Sequence, residues 1–186
     1  MGKVWALKEW AAVCEALDRG MQIVLLRKGG IDEVRGDFAV EHPEFFLYPT
    51  WEHQRAEHLQ PRFREVLEES FREPPGHRVP ILDFARVEKV LRVGEASKLQ
   101  ALTDHCVWTS EHVARRHAYK PSKPMFVMLL RVFRLPEARA VAETPRYAGC
   151  KSWVDLDEPL GREGARPVLD DARFAEEVAA LSRALA

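Results

Sequence analysis

The sequence predicts an α+β protein: a central, mostly antiparallel, barrel-like sheet flanked by helices, with a C-terminal helix. Three observations carry that class. Short β-branched and leucine-rich runs at residues 22–27 and 125–135 read as strands. Helical stretches fall between such runs without the regular alternation of a doubly wound fold. A linker containing Gly and Pro then leads to a last helical segment, which opens on Asp170-Asp171, acids that a helix N-terminus favours. A chain of 186 residues has room for one real core. The expected division is one α+β domain over residues 1–156 and an appendage of linker and helix over 157–186.

Taken in order, residues 5–17 read as an amphipathic to buried helix, with Trp5, Val13 and Leu17 apolar and Gly20 as its stop. Residues 22–27 form a strand closed by a turn at Gly29-Gly30. Residues 38–40 and 45–48 are two more strand-like pieces. Thr50 suits the N-cap of a helix starting near Trp51, and a helical stripe through Leu59, Phe63, Val66, Leu67 and Phe71 is divided by Pro61. Pro74-Pro75-Gly76 breaks the chain. Residues 79–93 read as one long or bent strand and 95–103 as a short helix. Residues 105–108 are a brief approach segment, with Thr109-Ser110 capping a helix that runs through His117. Residues 125–135 are apolar on both faces until Arg131, which makes them a central strand. A last strand covers 151–156.

Composition sets outer limits. The apolar share of 46% and charged share of 31% are those of an ordinary globular protein. No apolar run approaches the roughly 20 residues that span a bilayer, and the N-terminus lacks a secretory pattern, so the expected location is the cytosol. Cys14, Cys106 and Cys150 are widely spaced, with no C-x-x-C pair, which argues for reduced thiols rather than a thiolate zinc site. The formal charge of −1 conceals asymmetry: net −6 over residues 31–77, +7 over 78–153 and −4 over 154–186. Such asymmetry points to an anionic partner for the basic part, or to acidic helices packing beside basic strands.

Two clusters are candidate sites. Residues 105–123 gather Trp108, Glu111, Arg116, Tyr119, Lys120 and Lys123 with three histidines, on the rim of an apolar strand. Arg116, Lys120 and Lys123 are suited to hold phosphate or carboxylate groups, with Trp108 and Tyr119 as stacking surfaces, a mixture that favours a nucleotide or single-stranded nucleic acid. A solvated helix with Glu111 and Arg115 paired at i,i+4 is the plainer alternative. The second cluster is Glu41, His42, Glu52 and His53, residue types that bind metals or exchange protons. Its spacing matches no H-E-x-x-H, and a hydrogen-bonded loop histidine beside a solvated helical turn would also account for it. Lys28-Gly29-Gly30, as a phosphate-approaching turn, and Cys150 beside Lys151, as an activated thiol, are weaker candidates. No nucleophile elbow, P-loop, dinucleotide fingerprint or calcium loop is present, and Asp83 with Glu88-Lys89 approaches a nuclease pattern without matching it.

Several of these residues also carry a resemblance. Trp10 through Gly30, Phe38, His42, Phe45-Phe46-Leu47-Tyr48-Pro49-Thr50 and His53-Gln54 resemble a bacterial and archaeal family, domain of unknown function 1802. Trp108, Glu111, Arg116, Lys120-Pro121, Leu130-Arg131-Val132 and Gly149-Cys150-Lys151-Ser152-Trp153 are similar to it too. The match reaches about Leu156 and implies no activity or cofactor. A small sheet beside a basic, aromatic-rimmed segment also resembles RNA-binding barrels of the PUA and ASCH kind, an analogy of fold alone. The leading expectation is a nucleic-acid- or nucleotide-binding protein. A metal-dependent phosphodiesterase using the Glu/His cluster and a protein–protein interaction module stand as alternatives.

Overall fold

Where the sequence predicts a helix over residues 5–17, the structure has a strand, β1 (Val4–Trp10), and only then a helix, α1 (Ala11–Asp18). This computed structural model describes residues 3–28, 31–34, 37–74, 76–93, 98–149 and 151–185. The strand prevails because it can be paired on both sides, parallel to β5 (Glu44–Thr50) and antiparallel to β8 (Trp153–Leu156). Ala6 then enters one core and Leu7 the other, both fully buried. Pairing and two-sided burial override a residue set whose Leu, Ala, Lys and Glu favour helix.

The other strands follow the expected runs closely. They are β2 (Val24–Arg27), β6 (Arg78–Val93) and β7 (Met125–Ala142), the last running on past the expected end at 135, while β3 (Ile31–Val34), which the sequence does not predict, forms a short separate hairpin with β4 (Asp37–Val40). The order across the main sheet is β2-β7-β6-β5-β1-β8, and a two-residue strand, β9 (Arg166–Pro167), pairs with β7 beside Phe133 and Arg134. Every pairing in this sheet is antiparallel except β1 with β5. β7 lies between β2 and β6, which explains why residues 125–130 are buried without a break. Side chains alternate between two cores: Phe45, Leu47 and Ala85 point into one, Phe46, Tyr48 and Phe84 into the other.

The sheet is barrel-like, as expected, but is not closed. β2 and β8 are edges of the sheet among the described residues. Yet β2 and β8 both contribute to one cavity, so the sheet curls until its two edges flank the same space. The free edge of β2 is blocked by a side chain instead of a strand, because Arg116 Nη2 donates to the Leu26 carbonyl at 2.8 Å. A barrel needs consistent tilt and stagger all round, and this seam is filled by a helix.

That helix is α4 (Ser110–Ala118), capped by the Thr109 hydroxyl, which accepts from the His112 amide at 3.2 Å. α3 (Leu99–Asp104) precedes it. The segment between them is pinned to residues 58–60. Gln60 Nε2 lies within 2.7–3.1 Å of the carbonyls of Thr103, Cys106 and Trp108, and the Thr109 amide donates to the His58 carbonyl at 2.9 Å. Gln22 adds a buried clamp, its Oε1 accepting from the Val107 amide at 2.9 Å.

A helix from Trp51 is not formed. β5 runs on through Pro49 and Thr50 to pair with Glu9 and Trp10, which leaves Thr50 in a strand rather than at an N-cap. The chain then turns, with His53 at φ 62°, into a 3-10 turn at Ala56–His58. Pro61 divides the following stripe as expected, taking the first position of α2 (Pro61–Arg64), where its missing N–H costs nothing. The last helix, α5 (Asp171–Leu185), buries Phe174, Leu181 and Leu185 in the same core as α1 and β7. Arg131, only 5% exposed on β7, reaches its N-terminus and binds Asp171 Oδ1 at 2.6 Å. The turn expected at Gly29-Gly30 lies outside the described residues.

Candidate anion site in the seam of the sheet

The cavity in the seam has a volume of about 590 Å³. The end of β2 supplies Arg27 and Lys28. One face of α4 supplies His112, Arg115 and Arg116, and Tyr119 follows at the end of the helix. The start of β8 supplies Ser152 and Trp153. Four cations and three rings thus share one space, and no carboxylate lines it among the described residues. Positions 112, 115, 116 and 119 are one helical face, so a spacing of three and four places their side chains together.

His112 sets the electrostatics of the inner wall. It is 6% exposed, and its Nδ1 lies 3.3 Å from Arg115 Nη2, which can only donate. The ring is therefore the neutral tautomer with its proton on Nε2. Burial first, then His58, Arg116 and Arg115, push its pKa down to about 3. His58, centred 4.5 Å away, is likewise lowered, mainly by burial and then by Arg115. Behind these rings stand Trp10, 5.2 Å from His112, and Trp108, 6.3 Å from it. The wall at His112 is thus aromatic and uncharged, while the charge on the cavity is carried by guanidinium and ammonium groups. Burial also lowers the Arg27 pKa, which the Glu9 carboxylate partly offsets.

Trp153 is positioned by a second stack. His42 lies face to face on Trp5, with centroids 3.8 Å apart, and meets the edge of Trp153 at 5.0 Å, while Phe45 meets Trp153 from another side at 5.0 Å. The Trp153 indole nitrogen is buried and has no hydrogen-bond partner among the described residues.

The residues singled out from the sequence divide accordingly. Arg116 and Tyr119 line the cavity. Lys120 is exposed at φ 49° with its ammonium 5.1 Å from the Tyr119 ring centroid. Lys123 lies on a smaller neighbouring cavity. Trp108 is only 4% exposed, so its ring meets protein rather than a ligand. Glu111 is exposed and makes no ion pair among the described residues; the i,i+4 partner expected for it, Arg115, turns to His112 instead. Of the second cluster, His42 lies before β5 and beside Glu41, with 3.5 Å between His42 Nε2 and the carboxylate, long for a hydrogen bond. Glu52 and His53 are exposed beyond the other end of β5. A seven-residue strand separates them, about 20 Å at the usual rise. The four therefore do not form one constellation. Among the described residues no group of three or more His, Cys, Asp or Glu side chains is placed to hold a metal ion.

His112 and Arg115 join Arg116 and Tyr119 from the same stretch, while Arg27, Lys28, Ser152 and Trp153 complete the site, and residue pattern alone does not group these four with α4. Lys28 and the 149–153 stretch stand out separately in the sequence, the first as a glycine turn and the second around Cys150, which lies outside the described residues. Their convergence depends on how the sheet curls, which no local pattern encodes.

The family model for domain of unknown function DUF1802 matches residues 6–180, nearly the whole chain. The chain belongs to this family. No curated protein is similar to it in sequence. Among solved structures, the chain is similar to an ASCH protein from Zymomonas mobilis at 13% identity over 96% of this chain and 95% of that one, with a TM-score of 0.46. Two point mutants of that protein give 12% identity over 84% of this chain and 89% or 92% of theirs, with TM-scores of 0.48 and 0.47. At that distance the likeness carries no functional weight. Among the described residues no helix is long and apolar enough to cross a membrane.

Proposed function

We propose that this protein binds nucleic acid or a nucleotide, in the cytosol, through the cavity in the seam of its sheet. The observation that carries the reading is the company of Arg27, Lys28, Arg115 and Arg116 with Tyr119 and Trp153 around a single cavity that no described carboxylate lines. Four cations held together, with only Glu9 acting on Arg27 to offset them, repel one another, and such an arrangement is stable in company with an anion. Guanidinium groups bind phosphate oxygens in pairs, and the rings offer faces to bases whatever their identity. The neutral His112 ring adds a surface that does not compete for the phosphate. Tyr119, 60% exposed, stands at the mouth, where a strand would enter, with Lys120 beside it.

Binding through phosphates releases counterions, so the test is the salt dependence of fluorescence anisotropy with labelled single- and double-stranded DNA and RNA. For a single strand held by three or four cations, log affinity is expected to fall with log salt at a slope of about −2 to −3. Absence of binding at low salt to every oligonucleotide and to a mononucleotide alike, or an affinity independent of salt, would overturn the proposal.

A further inference from the structure

The Lys28 side chain belongs to two cavities. Besides the ring-lined one, it borders a second of about 260 Å³, walled by the end of β6, the end of α4 and the turn that leads into β7. The titratable groups of this second cavity are Lys28, Arg92, His117 and Lys123, and no carboxylate lines it among the described residues. The wall they share is fixed, since Lys28 Nζ donates to the Lys123 carbonyl at 2.8 Å. Burial lowers the Lys28 pKa, as expected for an ammonium partly withdrawn from water.

The two spaces differ in kind. The larger is mainly apolar and ring-lined, of a size for a base with its sugar. The smaller offers a single ring, that of His117, together with cations, Ser122 and two prolines. Cations in the last turn of α4 also offset the negative end of its dipole, which would explain Arg115, Arg116 and His117 without any ligand. That explanation does not reach Arg92 on β6 or Lys123 in the turn, and neither side chain has an ion-pair partner among the described residues. A mononucleotide in the first cavity would leave both unneutralised.

We propose that the two cavities form one site for a single strand of nucleic acid, with one nucleotide in the ring-lined cavity and the neighbouring phosphate between Arg92, Lys123 and the shared Lys28. The inference rests on the reading given under Proposed function and narrows its ligand from any nucleotide to a strand.

The test compares a fluorescein-labelled single-stranded oligouridylate with uridine monophosphate as competitor. The proteins are the native chain, Arg92→Gln/Lys123→Gln and Arg116→Gln, each checked for folding by circular dichroism. The native protein is expected to prefer the oligonucleotide. The Arg92→Gln/Lys123→Gln protein should lose about tenfold or more in oligonucleotide affinity, as removal of one or two charge-assisted hydrogen bonds would cause, with the monophosphate affinity unchanged. Arg116→Gln should weaken both ligands. Equal losses for both ligands in Arg92→Gln/Lys123→Gln, or no loss for either, would overturn the two-cavity site and leave the first cavity standing. A native protein that binds neither ligand would overturn the preceding reading itself.

Discussion

Replacing Arg27 and Arg116 together by glutamine is expected to lower oligonucleotide affinity by about two to four orders of magnitude, since each charge-assisted hydrogen bond contributes roughly 1.5–3 kcal/mol. The salt slope should become shallower by about 1.4, because each of two phosphates left without its cation on a single strand accounts for about 0.7. The two residues differ in what else they do. Arg116 also satisfies the Leu26 carbonyl on the free edge of β2, so its loss removes a structural bond. Arg27 has no ion-pair partner among the described residues and holds a guanidinium whose burial lowers its pKa. Its presence costs folding energy, and Arg27→Gln alone should therefore bind more weakly while melting at the same temperature or higher. A variant that melts lower and binds as before would show that Arg27 serves the fold.

The second large effect lies away from this site. Asp83, 2% exposed on β6, sits beside Asp18 of α1, which is ion-paired with Arg134 of β7. Burial first and the Asp18 carboxylate second raise the Asp83 pKa to about 8, against a partial opposing pull from Arg134 and a small further push from Glu15. A carboxyl whose folded pKa is raised contributes stability that is complete below its unfolded value of 3.8 and is lost as pH rises through about 8. Between pH 5 and 8 the loss is at most about 1.4 kcal/mol per pH unit. Asp83→Asn keeps the shape and removes the titration. Above pH 6.5, where His112 no longer contributes a slope, urea unfolding should show the native protein losing about 2 kcal/mol by pH 8 and the variant remaining nearly level. Parallel curves would contradict the assignment. His112 acts with the opposite sign: its folded pKa of about 3 lies below the ordinary 6.5, so its contribution is present above pH 6.5 and falls away toward acid. Stability should peak between these two slopes.

The central strand β7 and the long β6 are legible in the sequence because two-sided burial and β-branched content leave few alternatives for such runs. α4 is legible to within a residue, since Thr109 is an N-cap whose partner is local in sequence. β1 reads as helix because what makes it a strand is its pairing with β5 and β8, some forty and one hundred and fifty residues away. The same limit applies to the site. Arg116 and Tyr119 announce themselves through composition, whereas Arg27 and Trp153 are ordinary strand residues until the curled sheet brings its two edges to α4. Trp108 is attractive as a ring beside cations, but the Leu59–Trp108 bridge and the Gln60 clamp draw it inside. The Glu/His cluster looks compact along the chain, yet β5, between His42 and His53, extends where a turn would have folded them together.

The most direct measurement is the indole N–H region of a 15N-correlation spectrum during titration with a single-stranded oligonucleotide. The chain has five tryptophans, and Trp153→Phe assigns the one that lines the cavity. The account predicts a saturable shift of the Trp153 signal, while the Trp51 signal, whose N–H donates to the Ser70 carbonyl at 3.0 Å away from the seam, stays in place. A stationary Trp153 signal under conditions where the oligonucleotide binds would contradict it.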